Sequence, residues 1–331
     1  MGAINVGDGT TAGYLETFTS AYIGDQGQAT LNVLSGGYAY LRTAYFAANP
    51  GSVANVTVNN ASLYTFNANV GGDGVTDGGM ANIYVQNGAS WSMSGSTLNL
   101  HSGGNVYIQG GSLNTGYIGE LGGGIHYISG TLQVNYQGLT IGQGQVLGAA
   151  VTIPTLSSII VGQSNSQTSF TIADGGSVVN HGNLNAYAVN VQQGGALSGN
   201  GQLNHVSYFG FANGGGLRVE NAGTLSPGNS AGIMTIAASW YGTRFIQTPT
   251  GNIEIEIGGN ANGAPVAGTH YDQLIVHGNL FLDGTLNLLG LPGPYGELTD
   301  VYQIIRYTGT RTGEFGTINW FNGFAGTLLT M

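Results

Sequence analysis

The sequence has no cysteine and no lysine. The first absence removes disulfides, thiolate metal centres and cysteine nucleophiles. The second leaves Arg42, Arg218, Arg244, Arg306 and Arg311 as the only basic side chains besides histidine, against 15 acidic residues and a formal charge of −10. Binding to nucleic acid needs clustered Lys and Arg to neutralise phosphates, so no nucleic-acid partner is expected. A basic helix lying on a membrane surface is excluded for the same reason. Charged residues make up 6% of the 331 positions, where ~25% is usual. No run of 18 apolar residues occurs, so no transmembrane helix is expected. Only seven prolines are present and glycine shows no triplet period, which excludes collagen. No window carries a 3.6-residue apolar period, so almost no helix is expected. No secretory leader is visible: Met1-Gly2-Ala3-Ile4 runs directly into polar, Gly-rich sequence, as in a mature or excised form.

What is abundant is glycine, 61 residues, within a chain that is 41% hydrophobic and so has enough apolar surface to fold. A short phrase recurs in which one or two apolar or aromatic residues precede a small one. Its copies include Asn5-Val6-Gly7, Tyr22-Ile23-Gly24, Tyr45-Phe46-Ala47, Asn69-Val70-Gly71, Tyr117-Ile118-Gly119, Thr140-Ile141-Gly142 and Ile160-Val161-Gly162, with a degenerate copy around Gly95. The small residues recur about every 23 positions, the period of a β-solenoid coil. Each phrase is followed by alternating stretches such as Ala29-Thr30-Leu31-Asn32-Val33 and Ala54-Asn55-Val56-Thr57-Val58. Period-2 alternation marks strands buried on one face. Gly and Asn pairs such as Ser35-Gly36-Gly37, Asn59-Asn60, Asn87-Gly88, Gly110-Gly111, Asp174-Gly175-Gly176 and Gln193-Gly194-Gly195 then supply the corners, because both residues accept positive φ. The expected fold is all-β, a single-stranded β-solenoid (β-helix) of about 23-residue coils. One coil cannot bury its own apolar face, whereas coils stacked at about 4.8 Å bury a continuous inner column. About nine coils over residues 1–205 would give a rod of roughly 45 Å at that spacing.

After residue 205 the texture changes. Residues 253–257, 271–277, 280–288, 301–307 and 314–320 read as long strands, and aromatics gather, among them Trp240, Tyr241, Tyr302, Trp320, Phe321 and Phe324. The expectation for 206–331 is a β-rich capping or assembly region, built either as wider coils or as a small β-sandwich. An open strand edge at the end of a solenoid has to be capped or paired. The last strand, with Leu328 and Leu329, could pair with another subunit. Tyr22, Tyr45, Tyr117, Trp320, Phe321, Phe324, Leu328 and Leu329 are therefore the expected assembly or partner contacts.

No catalytic residue is assigned. Gly71-Gly72-Asp73-Gly74-Val75-Thr76-Asp77-Gly78-Gly79 is similar to a calcium nonapeptide, but Asp77 falls one position late and no stacked copy supplies further oxygen ligands. Calcium binding rests on that single copy, so no cofactor and no metal site are expected. The six histidines, His101, His126, His181, His205, His270 and His277, form no metal-binding pair and read as outward polar positions. Glu254 and Glu256 share a strand face roughly 7 Å apart. That spacing suits glycoside hydrolysis, but basic residues beside them are few, so they read as a solvated face.

Leu197-Ser198-Gly199-Asn200-Gly201-Gln202-Leu203-Asn204 and Gly223-Thr224-Leu225-Ser226-Pro227-Gly228-Asn229-Ser230-Ala231-Gly232-Ile233-Met234-Thr235-Ile236 resemble the autotransporter-associated β-strand repeats. These occur in autotransporter passengers and in secreted bacterial proteins with a PEP-CTERM sorting tail. Ile253–Gly259, Tyr271–Gly278 and Leu282–Leu288 are similar to the same group, and the match runs from about 189 to 318. Upstream coils resemble glycine-bearing passenger repeats more loosely. Neither a membrane β-barrel nor a Pro-Glu-Pro tail is present in these residues. The resemblance implies a secreted or cell-surface structural protein without enzymatic activity. It would act as an adhesin or passenger, or as a subunit of an extracellular fibre or sheath assembled by head-to-tail β-pairing. It implies that the Tyr271-Asp272 pair is structural. The alternative is a polysaccharide-binding or polysaccharide-degrading, tailspike-like β-helix.

Overall fold

The structure is a computed structural model, which describes residues 2–8, 10–163, 166–206, 216–228, 230–237, 242–258, 264–291 and 301–321. Among these residues there is no helix, and the strands named below pair in parallel. The fold is an all-β solenoid. It divides into two compact units, residues 1–168 and 169–331.

The first unit contains β1 (Gly2–Val6), β2 (Tyr14–Ile23), β3 (Gln28–Val33), β4 (Tyr38–Phe46), β5 (Val53–Asn59), β6 (Ser62–Val70), β7 (Met80–Gln86), β8 (Ser90–His101), β9 (Gly104–Leu121), β10 (Gly124–Val134), β11 (Leu139–Ile141), β12 (Ala150–Ile153) and β13 (Ser158–Val161). Two hydrogen-bonded ladders run through it, β1-β3-β5-β7-β9-β10-β13 and β2-β4-β6-β8-β9, with the long β9 belonging to both. In the first, Gly2, Ala29, Ala54, Ala81 and Gly104 are successive partners, so the coils advance by 27, 25, 27 and 23 residues. In the second, Tyr14, Tyr38, Ser62, Ser90 and Ser112 give steps of 24, 24, 28 and 22. The strands must keep register to pair, so turns absorb the difference.

Parallel in-register pairing places like positions above one another. Leu31, Val56, Ile83 and Val106 form one fully buried column, and Val33, Val58, Val85 and Ile108 another. In the second ladder Phe46 on β4, Leu63 on β6 and Trp91 on β8 are likewise fully buried. Six of the eight small residues of the repeat phrase lie at corners with positive φ, namely Gly7, Gly24, Ala47, Gly71, Gly95 and Gly162, whereas Gly119 lies within β9 and neither it nor Gly142 has positive φ.

Gly71 and Gly51 separate conformational from steric demand. Their φ values are +76° and +79°. A Cβ on Gly71 would overlap the backbone of Gly103 and Gly104, whereas one on Gly51 would meet nothing. Gly51→Ala is expected to cost about 1–2 kcal/mol, the left-handed penalty alone. Gly71→Ala should cost clearly more, because the next coil must also move. Urea midpoints of the two variants check this, and equal losses would contradict the close approach.

The second unit contains β14 (Ser169–Ile172), β15 (Ser177–Asn180), β16 (Asn183–Ala186), β17 (Ala188–Val191), β18 (Ala196–Gly199), β19 (Gln202–His205), β20 (Arg218–Asn221), β21 (Thr224–Pro227), β22 (Ile233–Ile236), β23 (Thr243–Gln247), β24 (Asn252–Ile257), β25 (Gln273–Val276), β26 (Gly278–Leu282), β27 (Thr285–Gly290), β28 (Ile305–Tyr307), β29 (Arg311–Gly313) and β30 (Thr317–Phe321). Each coil gives one strand to each of three sheets: β16-β19-β22-β25-β28, β14-β17-β20-β23-β26-β29 and β15-β18-β21-β24-β27-β30. Val178, Leu197, Leu225, Ile253 and Leu286 stack as one inner column, and Phe170, Val189, Val219, Phe245 and Leu280 as another. Both are buried throughout.

Ser177, Ala196, Thr224, Asn252, Thr285 and Thr317 are successive partners, so the coils widen from 19 residues through 28 and 28 to 33 and 32. Of the two architectures expected after 205, the wider coils are present. β19 and β22 pair across that position within one sheet, and the boundary between the two compact units falls at 168/169. The expected strand 280–288 is two strands, because the Asp283-Gly284 corner, with Gly284 at φ +65°, turns the chain into the next sheet.

Candidate functional surface and carboxylate cleft

Outward positions in parallel register also stack, which turns repeated tyrosines into ladders. In the first unit Tyr22 and Tyr45 are direct partners, with ring centroids 4.7 Å apart and planes within 8°. Tyr14 lies on Tyr38 at 5.5 Å and 4°, and Tyr40 on Tyr64 at 5.1 Å and 6°. Tyr84, Tyr107 and His126 form a three-ring stack at 4.7 and 4.5 Å. Tyr117 stacks on Tyr136 at 5.5 Å. Amide ladders run between the same coils: Asn32 Nδ2 donates to Asn5 Oδ1 at 2.8 Å, Asn99 to Asn69 at 2.8 Å and Asn135 to Asn114 at 2.7 Å. Each aromatic stack contributes about 0.5–1.5 kcal/mol beyond area burial, so this surface stabilises the coils while presenting phenols to solvent.

Of the residues expected to make contacts, Tyr22 and Tyr45 share one ladder, Tyr22 exposed and Tyr45 half-buried, while the exposed Tyr117 belongs to another. On β30, Trp320 is half-buried and Phe321 exposed. Phe324, Leu328 and Leu329 lie outside the described residues, as do Trp240 and Tyr241. Tyr14, Phe18, Tyr38 and Phe66 are exposed as well, on β2, β4 and β6. Their signal was available, since Tyr14/Tyr38 and Tyr40/Tyr64 are each 24 residues apart.

The second unit holds a cleft of about 150 Å³ lined by Ser198, Ser226, Gly228, Glu254, Glu256 and Asp272, among others. The alternation of β24 buries Ile253, Ile255 and Ile257 and turns Glu254 and Glu256 towards the cleft. Glu254 Oε2 accepts from Ser226 Oγ at 3.1 Å. The two glutamates are half-buried rather than fully solvated, and Glu256 Oε2 is buried without a hydrogen-bond partner. Asp272 is 2% exposed. Its Oδ1 accepts the Gly232 N–H and its Oδ2 the Glu256 N–H, both at 2.8 Å. Burial pushes this carboxyl up to about 7, aided by the charge of Glu256 and opposed by the two N–H donors. Such a group suits proton transfer near neutrality, but both oxygens here brace backbone, one at Gly232 just before β22 and one at Glu256 on β24.

Among the described residues no group of three or more His, Asp or Glu is placed to hold a metal. In the 71–79 loop, Asp73 Oδ1 accepts from Val75 N and Thr76 N at 2.8 and 2.6 Å, bonds that hold its carboxyl below the usual value. The histidines are not uniformly outward. His101 is 1% exposed because the 71–79 turn folds over it, with Nδ1 3.4 Å from Asp77 Oδ1 and Nε2 buried without a partner. His205 is half-buried on β19, and burial lowers its pKa. Tyr271 is buried, at 5% exposure. Tyr127 is half-buried; its hydroxyl donates to the Gly130 carbonyl at 2.9 Å, and burial pushes its pKa up to about 12.

No family model and no curated protein matches the chain. A solved structure, the crystal structure of a TibC-catalysed hyper-glycosylated TibA fragment, is similar at 14% identity and a TM-score of 0.29. The alignment spans 94% of this chain and all of that one.

Proposed function

We propose that this chain is a secreted or cell-surface structural protein, a passenger-like adhesin or a subunit of an extracellular fibre or sheath, and that it is not an enzyme. The observation that carries the reading is the edge of the first unit. Ile4 on β1 is 47% exposed, whereas its column mates Leu31, Val56 and Ile83 are fully buried. β1 pairs only with β3 among the described residues, leaving its other edge open. An open edge backed by an unfilled apolar column is a template for a further strand. The occupant proposed is an edge strand from a second copy of this chain, contributed by β28–β30, each of which ends its sheet among the described residues. The few charges on the chain keep the desolvation cost of such packing small. The acidic Asp8 and Glu16 flank the first edge, and the last coil carries Arg306 beside the Arg311–Glu314 ion pair.

The carboxylate cleft supports the non-enzymatic reading over polysaccharide cleavage. Its volume is below the ~300–1,000 Å³ of ordinary ligand pockets, and the most perturbed carboxyl already accepts two backbone N–H groups.

Ile4→Lys tests the edge. Lysine is a common means of blocking edge pairing. Wild-type protein is expected to sediment as multimers whose size grows with concentration, and the variant as a monomer with an unchanged circular dichroism spectrum. Monomeric wild-type protein at high concentration would remove the fibre reading; assembly unaffected by Ile4→Lys would remove this edge from it.

A further inference from the structure

The tyrosine ladders have a chemical property beyond packing. Four pairs of phenol rings sit nearly parallel at 4.7–5.5 Å, with planes within 12°, and a fifth, Tyr117–Tyr136, stacks at 27°. On β2, β4 and β6 the ladders are open to solvent, with Tyr14, Tyr22 and Tyr38 at 65%, 54% and 38% exposure. Tyr14/Tyr38, Tyr22/Tyr45, Tyr40/Tyr64 and Tyr84/Tyr107 are direct register partners, so the backbone holds those rings face to face. Around them there is no thiol to reduce a phenoxyl radical, because the chain has no cysteine. A base is present in one ladder: Tyr14 Oη donates to Glu16 Oε2 at 2.7 Å.

We propose that the Tyr22–Tyr45 and Tyr40–Tyr64 pairs, with Tyr14–Tyr38 beside them, are oxidative modification sites at which adjacent coils become joined by dityrosine under a one-electron oxidant of the haem peroxidase and hydrogen peroxide class. Each phenol gives up one electron and its hydroxyl proton, leaving two phenoxyl radicals with spin density on the ring carbons ortho to oxygen. One carbon–carbon bond forms between an ortho carbon of each ring. The hydrogen on each coupled carbon then moves to the ring oxygen, restoring two phenols. The two electrons and two protons reduce one hydrogen peroxide to two waters. The product is a covalent staple between successive coils, in a chain that cannot make disulfides.

The positions of the arginines provide the readout. Trypsin cleaves after Arg42 and next after Arg218. Tyr22 and Tyr40 therefore lie in peptide 1–42, and Tyr45 and Tyr64 in peptide 43–218, whereas Tyr14 and Tyr38 lie in one peptide. Dilute protein is treated with horseradish peroxidase and hydrogen peroxide, denatured, digested and analysed by mass spectrometry and dityrosine fluorescence. The expected result is a joined 1–42/43–218 species from monomeric protein, mapped to Tyr22–Tyr45 and Tyr40–Tyr64, and a raised melting temperature before digestion. The Tyr45→Phe/Tyr64→Phe variant keeps both rings stacked but lacks the phenols, so it should lose the joined species while retaining fluorescence from Tyr14–Tyr38. Wild-type protein oxidised in denaturant controls for proximity without the fold and should yield at least tenfold less. Oxidation that only hydroxylates the rings, a joined species that persists in the double variant, or cross-links found only between molecules would each overturn the proposal.

Discussion

Replacing Trp91 with alanine is expected to lower the stability of the first unit by about 3–5 kcal/mol, the range for deleting a large buried aromatic. Trp91 is fully buried between its ladder partners Leu63 and Leu113. It meets Phe46 edge-on, with centroids 6.2 Å apart at 88°. Its Nε1 donates to the hydroxyl of Thr65, also fully buried, at 3.1 Å. The solenoid interior is narrow, so each column has few neighbours that can move into a vacated volume. Alanine would therefore leave a cavity and also strand the Thr65 hydroxyl. Trp91→Phe fills most of that space and loses only the N–H donor, so it should cost about 1–3 kcal/mol less than alanine. Urea unfolding with an unchanged m-value is the check. A loss below about 1 kcal/mol for Trp91→Ala would place the indole outside the core.

The second large effect is a dependence on pH in the second unit. Asp272 has its pKa raised from 3.8 to about 7, chiefly by burial. The folded state therefore binds a proton that the unfolded state has released between those values. The stability contributed by the neutral carboxyl is fully present below about 3.8 and is lost as pH rises through about 7. The loss is on the order of 4 kcal/mol across that window. Asp272→Asn does not titrate and keeps one acceptor oxygen for the Gly232 and Glu256 N–H groups, so it should be less stable at low pH but show no such decline. Subtracting its curve from that of wild type removes the titration of histidines such as His205, whose pKa is lowered by burial and which acts with the opposite sign. A difference that stays flat from about pH 4 to 8 would contradict a neutral Asp272 in the folded state.

The solenoid was legible because its determinants are local and repeated. Alternating strands such as Ala29–Val33 and corners such as Gly36, Asn60, Gly88, Gly110, Gly175 and Gly194 are read one residue at a time, and each of those corner residues has positive φ. The spacing of the phrase also carried over, since Gly7, Gly24, Ala47 and Gly71 mark coil corners. Coil length was less legible. Steps between 19 and 33 residues depend on how much chain each corner extrudes, and pairing energy does not depend on extruded turns. The wider coils of the second unit followed from this, as did the corner at Asp283-Gly284 that divides one apparent strand into two.

The candidate surface was half legible. Tyr22 and Tyr45 stood out beside the repeat phrase, but pairing them with each other, and Tyr14 with Tyr38, needed the register. The environment of Asp272 was not readable at all: its two N–H donors come from Gly232 and Glu256, 40 and 16 residues away in sequence. His101 was likewise hidden, because the turn that covers it precedes it by a full coil.

Parallel coils in the stated register are the claim on which the columns, the ladders and the open edge all depend. The chain's lack of cysteine allows a direct measurement of that register with introduced cysteine pairs. Asn55 and Asn82 are direct partners on β5 and β7, with their side-chain amides 3.5 Å apart. Adjacent strands lie about 4.8 Å apart, within the range a disulfide can span. Asn55→Cys/Asn82→Cys is expected to oxidise rapidly to an intramolecular disulfide in dilute solution. Asn55→Cys/Tyr84→Cys, offset by two residues along the same strand, should not. Equal rates for the two pairs, or faster closure of the offset pair, would contradict the stacked-coil account.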